Sequence, residues 1–276
     1  MKKLFLIAFT LLSFLELKAQ NLNYFKGSEG ELYAETKQVN QFIRRFNNEE
    51  DLSGKKFAPD SPEYRDNTRR SGYVRILFDG KDPNLTTEIK EKFIKDVTKA
   101  DNPQFLEFRG KDWYAEVTAH FYYKGREEEG KIFLALEQEN MGFKWSLVGA
   151  HFDFFDEMFP AKHDSTNGSF LHPMSHEIDF MNLKKALKND ESLLDYTRKD
   201  FYPDQLTLMF YEIEKGNLTF ETISKVYFHF FQVDGWYFKI SEFNRSGYNS
   251  GWLISSISEV ENKDKEVLKR YILRQD

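Results

Sequence analysis

Cysteine is absent from all 276 residues. This excludes disulfides, thiolate metal sites, iron–sulfur clusters, cysteine nucleophiles and a lipid-modified cysteine anchor. Positive charge is scarce: 39 Lys and Arg stand against 45 Asp and Glu, a formal net charge of −6. A nucleic-acid binder needs the opposite balance to neutralise phosphates. Long apolar runs are missing as well; Leu4–Leu15 has twelve residues, where a membrane span needs about 20. The chain carries no P-loop, no G-x-G-x-x-G and no G-x-S-x-G, which argues against nucleotide-binding and nucleophile-elbow chemistry. Aromatic residues, in contrast, are abundant at 17%, led by 28 Phe and 14 Tyr. Such a chain has ample apolar surface to bury and is not disordered.

Residues 1–19 read as a cleavable signal peptide. Lys2 and Lys3 form the positive n-region, Leu4–Leu15 (LFLIAFTLLSFL) the h-region, and Ala19 the small residue before the cut at Gln20. Leu17 is larger than the usual small residue at its position, which leaves the cleaved bond open, and a permanent N-terminal anchor is the alternative. Cleavage removes three lysines and one glutamate and makes the chain more acidic. The Lys-Ala-Gln ending resembles signal peptides of Bacteroidetes. The expected product is a periplasmic or secreted protein of that group, with no membrane span.

The mature length suits two domains. Between them, residues 156–176 (DEMFPAKHDSTNGSFLHPMSH) gather two prolines, a glycine and a Ser/Thr/Asn cluster and read as a linker. Residues 20–155 and 177–276 each run helices first, then strands. In the first, Val39, Phe42, Ile43 and Phe46 share one helix face. Tyr73–Phe78 reads as a short strand, and Thr86 starts a helix burying Ile89, Phe93 and Val97. In the second, Phe180, Leu183 and Leu187 mark one helix, and Leu206, Met209, Phe210 and Ile213 the apolar face of another, which Gly216 stops. A C-terminal helix over 263–274 would present Val267, Leu268, Tyr271 and Ile272.

Each half then closes in an aromatic meander. Trp113–Tyr123 alternates strictly, with Trp113, Ala115, Val117, Ala119, Phe121 and Tyr123 on one face. A turn at 124–130 leads to strand 131–137, and a loop through Gly142 to a strand near Trp145. The second series is 222–231, 236–243 and 252–257. His120-Phe121 matches His229-Phe230, Phe133 matches Phe238 and Trp145 matches Trp252, the pattern of a tandem duplication; two unrelated meanders of similar composition are the alternative.

A helical opening followed by a long antiparallel meander resembles the NTF2-like fold of nuclear transport factor 2, ketosteroid isomerase and the SnoaL-type proteins. The resemblance rests on Val39–Phe46, Ile89–Val97 and strands 113–154, and recurs over 178–257. It implies an α+β protein of two tandem NTF2-like domains, each with helices packed on a curved antiparallel sheet. It also implies either a pocket in the mouth of a cone or a sheet face used for association, and it fixes no function.

No catalytic set of that fold maps onto this chain, and no cofactor or metal is expected. His120 and His229 occupy the same place in both repeats, opposite apolar neighbours, so they fall on the outer face with Tyr122 and Tyr227. These four are the candidate ligand-binding residues; the competing expectation is that the two sheets pack face to face through them, with Phe231, as an intramolecular pseudo-dimer. His172 and His176 have helical chelating spacing, but Pro173 breaks the helix, no third ligand is specified, and His163 adds only crowding. The stretch 44–75 holds eight basic and six acidic residues, either a receptor for an anion or a solvated loop of ion pairs. Asp164-Ser165-Thr166 resembles a short O-glycosylation sequon. The leading functional expectation is an exported non-enzymatic protein that binds a small molecule or an envelope protein. The alternatives are a metal-independent hydrolase, isomerase or dehydratase with its site in one cone, and a structural subunit of a secretion, conjugation or glycan-handling assembly.

Overall fold

The computed structural model describes residues 38–159, 196–198, 201–247 and 249–274. The segments read as a signal peptide and as a Phe180–Leu187 helix, with His163, His172, His176 and the 164–166 triplet, lie outside these residues.

Helix α1, Val39–Asn47, buries Phe42, Ile43 and Phe46, the face its spacing predicts. It ends at Asn48, which takes the left-handed conformation (φ 57°). Helix α2, Asn67–Ile76, corrects the strand expected at Tyr73–Phe78. Asp66 caps it by accepting the Arg69 N–H at 2.8 Å. Val74 and Arg70, one helical turn apart, form its buried face. Arg70 is the reason the helical reading wins. It is fully buried, and it donates to the backbone carbonyls of Phe46 and Val97 at 2.9 Å and to that of Gln104. That reach ties α2 to α1 and to the end of helix α3, Thr87–Val97, which Thr86 caps as expected.

Six strands follow: β1 Trp113–Tyr123, β2 Arg126–Glu139 and β3 Gly142–Phe152, then β4 Leu218–Phe230, β5 Trp236–Phe243 and β6 Gly251–Glu259. Between the two groups stand helices α4, Asp153–Met158, and α5, Gln205–Glu214; α6, Lys265–Leu273, ends the chain. The turn expected over 124–130 contracts to Lys124-Gly125, both at positive φ (49° and 82°), as a two-residue hairpin turn requires.

The strands make one curved antiparallel sheet of order β3-β2-β1-β4-β5-β6. This corrects the expected pseudo-dimer of facing sheets: the two meanders join edge to edge through β1 and β4, which pair from Trp113↔Phe230 to Tyr123↔Leu218. The order is symmetric about that seam. Register shifts leave Glu221 and Ser224 of β4 unpaired, and similar shifts fall in β3 and β6; such bulges bend and twist a sheet.

The alternation of β1 defines two faces. The front carries Trp113 through Tyr123 at odd positions and, by register, Phe228, Phe230, Phe238, Ile240 and Ile254. At the Trp113 end α1–α3 cover it, with Phe42 and Phe46 against Phe230 and Phe238 and with Phe93 edge-on to Trp236. At the Tyr123 end α4 and α5 cover it, through Phe154, Phe155 and Met209. There the ring of Phe152 lies over Gly130 so closely that a β-carbon would stand 2.1 Å from it. Phe133 faces the back and Phe238 the front, so that pair of the repeat is not kept.

Helix α6 lies on the back. Its lysines dock it: Lys265 donates to the carbonyls of Phe231 and Val233 at 2.9 and 2.5 Å, and Lys269 reaches Asp112 at 2.8 Å beside the Tyr114 ring. The buried residues are therefore Lys265 and Leu273; of the expected apolar side, Leu268 and Ile272 are half-buried while Val267 and Tyr271 face solvent. In α5, likewise, Met209 is buried while Phe210 and Ile213 stay exposed.

Candidate functional site

The four residues expected from the sequence share the back face. His229 is buried, His120 and Tyr227 are half-buried, and Tyr122 is exposed. The structure does not gather them. His120 pairs with Thr222, Tyr122 with Thr219, and the Tyr122 hydroxyl reaches Glu127 at 3.3 Å. Lys239 lies over the Tyr227 ring at 4.8 Å.

His229 instead belongs to a chain that crosses four strands. Its Nε2 is 2.9 Å from Glu116 Oε2 and its Nδ1 is 2.9 Å from the Tyr237 hydroxyl. Glu116 Oε1 meets Lys131 Nζ at 3.2 Å, and the lysine reaches solvent. Burial alone would push the Glu116 carboxyl up, but the His229 hydrogen bond and the charges of His229 and Lys131 outweigh it and hold the group at about 2. Burial, with the Glu116 charge adding to it, pushes the Tyr237 phenol well above its ordinary range. Both imidazole nitrogens are thus occupied by protein groups, and the chain is a satisfied polar network. At Glu116's place in the second meander stands Lys225, so His120 has no such network around it. The sequence could not have joined Glu116 to Tyr237, because their meeting depends on the register of β1, β4 and β5.

The front face holds a different feature. Between the helices at its two ends runs a band that the described residues leave partly uncovered. Phe143, Trp145 and Leu147 of β3 and Phe220 and Ile223 of β4 are exposed by 39 to 52%. Half-buried Leu134, Leu136, Val117 and Val226 join them across β2, β1 and β4. Trp145 is braced edge-on by Trp113, with ring centres 5.2 Å apart. Arg109 lies over Phe143 at 5.5 Å on the rim. The side chains of the band itself carry no titratable group, so what they offer is apolar contact. Exposed apolar side chains that run from strand to strand in this way offer a surface to an apolar partner.

One group among the described residues places potential metal-ligand atoms within 4.8 Å of one another: His151, Asp153 and Asp156. Asp153 sits 3.2 Å from His151 Nε2 and Asp156 3.8 Å from Nδ1, on opposite ring nitrogens. Asp156 also accepts from Gln205 at 2.6 Å and from the Tyr202 hydroxyl. The group is a polar cluster in which Asp156 of α4 accepts from Gln205 of α5, tying the two helices, with His151 of β3 beside it. The basic stretch resolves into ion pairs: Arg44 and Arg45 hold Glu50, Arg65 holds Glu49 and Arg75 holds Glu91. Comparison of the chain with protein-family models, curated proteins and solved structures finds no match.

Proposed function

We propose that this is an exported, non-enzymatic binding protein whose working surface is the front-face band around Trp145. The observation that carries the reading is the band itself: exposed Phe143, Trp145, Leu147, Phe220 and Ile223 with no titratable side chain among them. Covering a half-exposed side chain of this size gains about 1 kcal/mol, so five give on the order of 5 kcal/mol before association costs. A stable complex must therefore also cover the half-buried residues between them. The occupant is a small hydrophobic molecule or an apolar segment of an envelope protein.

Export is proposed from Lys2, Lys3, the Leu4–Leu15 run and Ala19. No helix among the described residues is long and apolar enough to cross a membrane. The tandem NTF2-like organisation is proposed from helices preceding each meander and from the symmetric strand order about β1–β4. An enzyme is the second reading, and the Glu116–His229–Tyr237 chain is what favours it. Against it, both His229 nitrogens are engaged within the protein. A structural subunit of an envelope assembly would use the same band for a protein partner.

Native mass spectrometry of the mature protein taken from its own periplasm tests the proposal. A co-purifying molecule or partner that is lost in Trp145→Glu supports it. The bare mature mass, in both the wild type and the variant, contradicts a tight ligand.

A further inference from the structure

The β1–β4 seam joins the two halves of the sheet, and its back face is crossed by a continuous polar chain. Lys131 on β2, Glu116 on β1, His229 on β4 and Tyr237 on β5 are linked in that order at 3.2, 2.9 and 2.9 Å. Except for Lys131, each is less than one-tenth exposed. Water therefore cannot compensate freely when a proton enters the chain, and the chain must compensate internally.

The donors and acceptors allow this. Glu116, held ionised, can only accept, so the proton of neutral His229 must sit on Nε2. Nδ1 then accepts from the Tyr237 hydroxyl. When His229 gains a second proton it becomes a donor at both nitrogens. Glu116 still accepts, now with charge assistance, and the Tyr237 oxygen can accept once its O–H turns away, so the one donor left over is the neutral phenol rather than the charged imidazole.

We propose that this chain is a proton-accepting clasp: His229 takes up a proton without losing either hydrogen bond, so acidification leaves the β1–β4 seam closed. The groups facing His229 fit the role. Glu116 from β1 is the counter-charge. Tyr114, its direct partner on β1, lies against Lys269 of α6. On β5, Lys239 is opposite His229 but is drawn over the Tyr227 ring on its other side, and Lys131 approaches through Glu116 rather than the imidazole. The clasp is independent of what the front face binds.

Tyr237→Phe separates a clasp from passive packing. It leaves a lone pair unmatched when His229 is neutral, but an orphaned buried donor when His229 is charged, and the second is the costlier defect. The loss of Tm relative to wild type should therefore be about twofold larger where His229 is charged than where it is neutral, read as a Tm series from about pH 5 to about pH 8. Equal losses across the series would overturn the proposal. Nitrogen-15 imidazole spectra of the full wild-type chain give a check that needs no variant. The neutral form should be the Nε2–H tautomer, and an Nδ1–H tautomer contradicts the clasp.

Discussion

His229 Nε2 stands 2.9 Å from Glu116 Oε2 across the seam that joins the two meanders, with both side chains buried. The contact is long-range in sequence and central in space. It turns the pairing of β1 with β4 into a chemically marked register, because a one-residue slip would move the imidazole to the front face.

Removing the charge at one end of this contact should be costly. Glu116→Gln puts a neutral amide in place of the buried carboxylate that faces His229 and should destabilise the protein by about 1–3 kcal/mol, the range for weakening a buried charge-assisted hydrogen bond. Chemical denaturation at neutral pH measures it. A loss below about 1 kcal/mol, the range of exposed pairs, would show that the network contributes little.

The same carboxylate sets an acid limit. Its folded value of about 2 lies below the ordinary 4.5. A depressed carboxyl stabilises fully above the unfolded value, and the contribution fades as pH falls from about 4.5 through about 2. The span corresponds to roughly 3 kcal/mol. Wild-type stability should decline over that window, and Glu116→Gln should flatten the decline. An unchanged slope in the variant would assign acid sensitivity elsewhere.

Arg70 is a second buried charge, and it has carbonyl partners instead of a carboxylate. Burial, reinforced by the nearby Arg65 charge, lowers its guanidinium to about 10. Arg70→Ala should cost about 3 kcal/mol or more, since the carbonyls of Phe46, Val97 and Gln104 lose their donor together. Arg70→Lys should recover a minor part, because one ammonium cannot match the planar fork. Full recovery by lysine would mean that charge, not geometry, holds α1, α2 and α3 together.

Gly130 marks a close approach of another kind. A β-carbon there would meet the Phe152 ring at 2.1 Å. Gly130→Ala should therefore lose about 1–3 kcal/mol through overpacking. Adding Phe152→Leu should return part of that loss. Additive losses in the double variant would show that the two positions do not share the space.

Much of the fold was legible from local pattern. The bounds of β1 and β5 coincide with the expected 113–123 and 236–243, because strict aromatic alternation ends in unmistakable turn residues. The face of α1 and the Thr86 cap were equally plain. What depended on distant partners was not. Tyr73–Phe78 looks like a strand until Arg70 finds three carbonyls from outside its helix. The exposed sides of α5 and α6 follow from which sheet face each meets, and an apolar stripe does not specify that. His229 could be singled out by repetition, but Glu116 and Tyr237 could not, since only sheet register brings them to it. The front band was unreadable for the same reason. Its residues look like ordinary core positions, and it is the spacing of the helical layers that leaves them uncovered.

The central claim is that this band binds apolar surface, and titration of a chain of residues 20–276 with 1-anilinonaphthalene-8-sulfonate tests it most directly. The account predicts saturable fluorescence enhancement by the native protein, lost in Leu147→Asp and in Ile223→Asp while far-ultraviolet circular dichroism and Tm stay near wild type. These side chains are 41% and 52% exposed, so the fold should tolerate both changes. Enhancement that never saturates, or that survives in both variants, would contradict the assignment of the band as the binding surface.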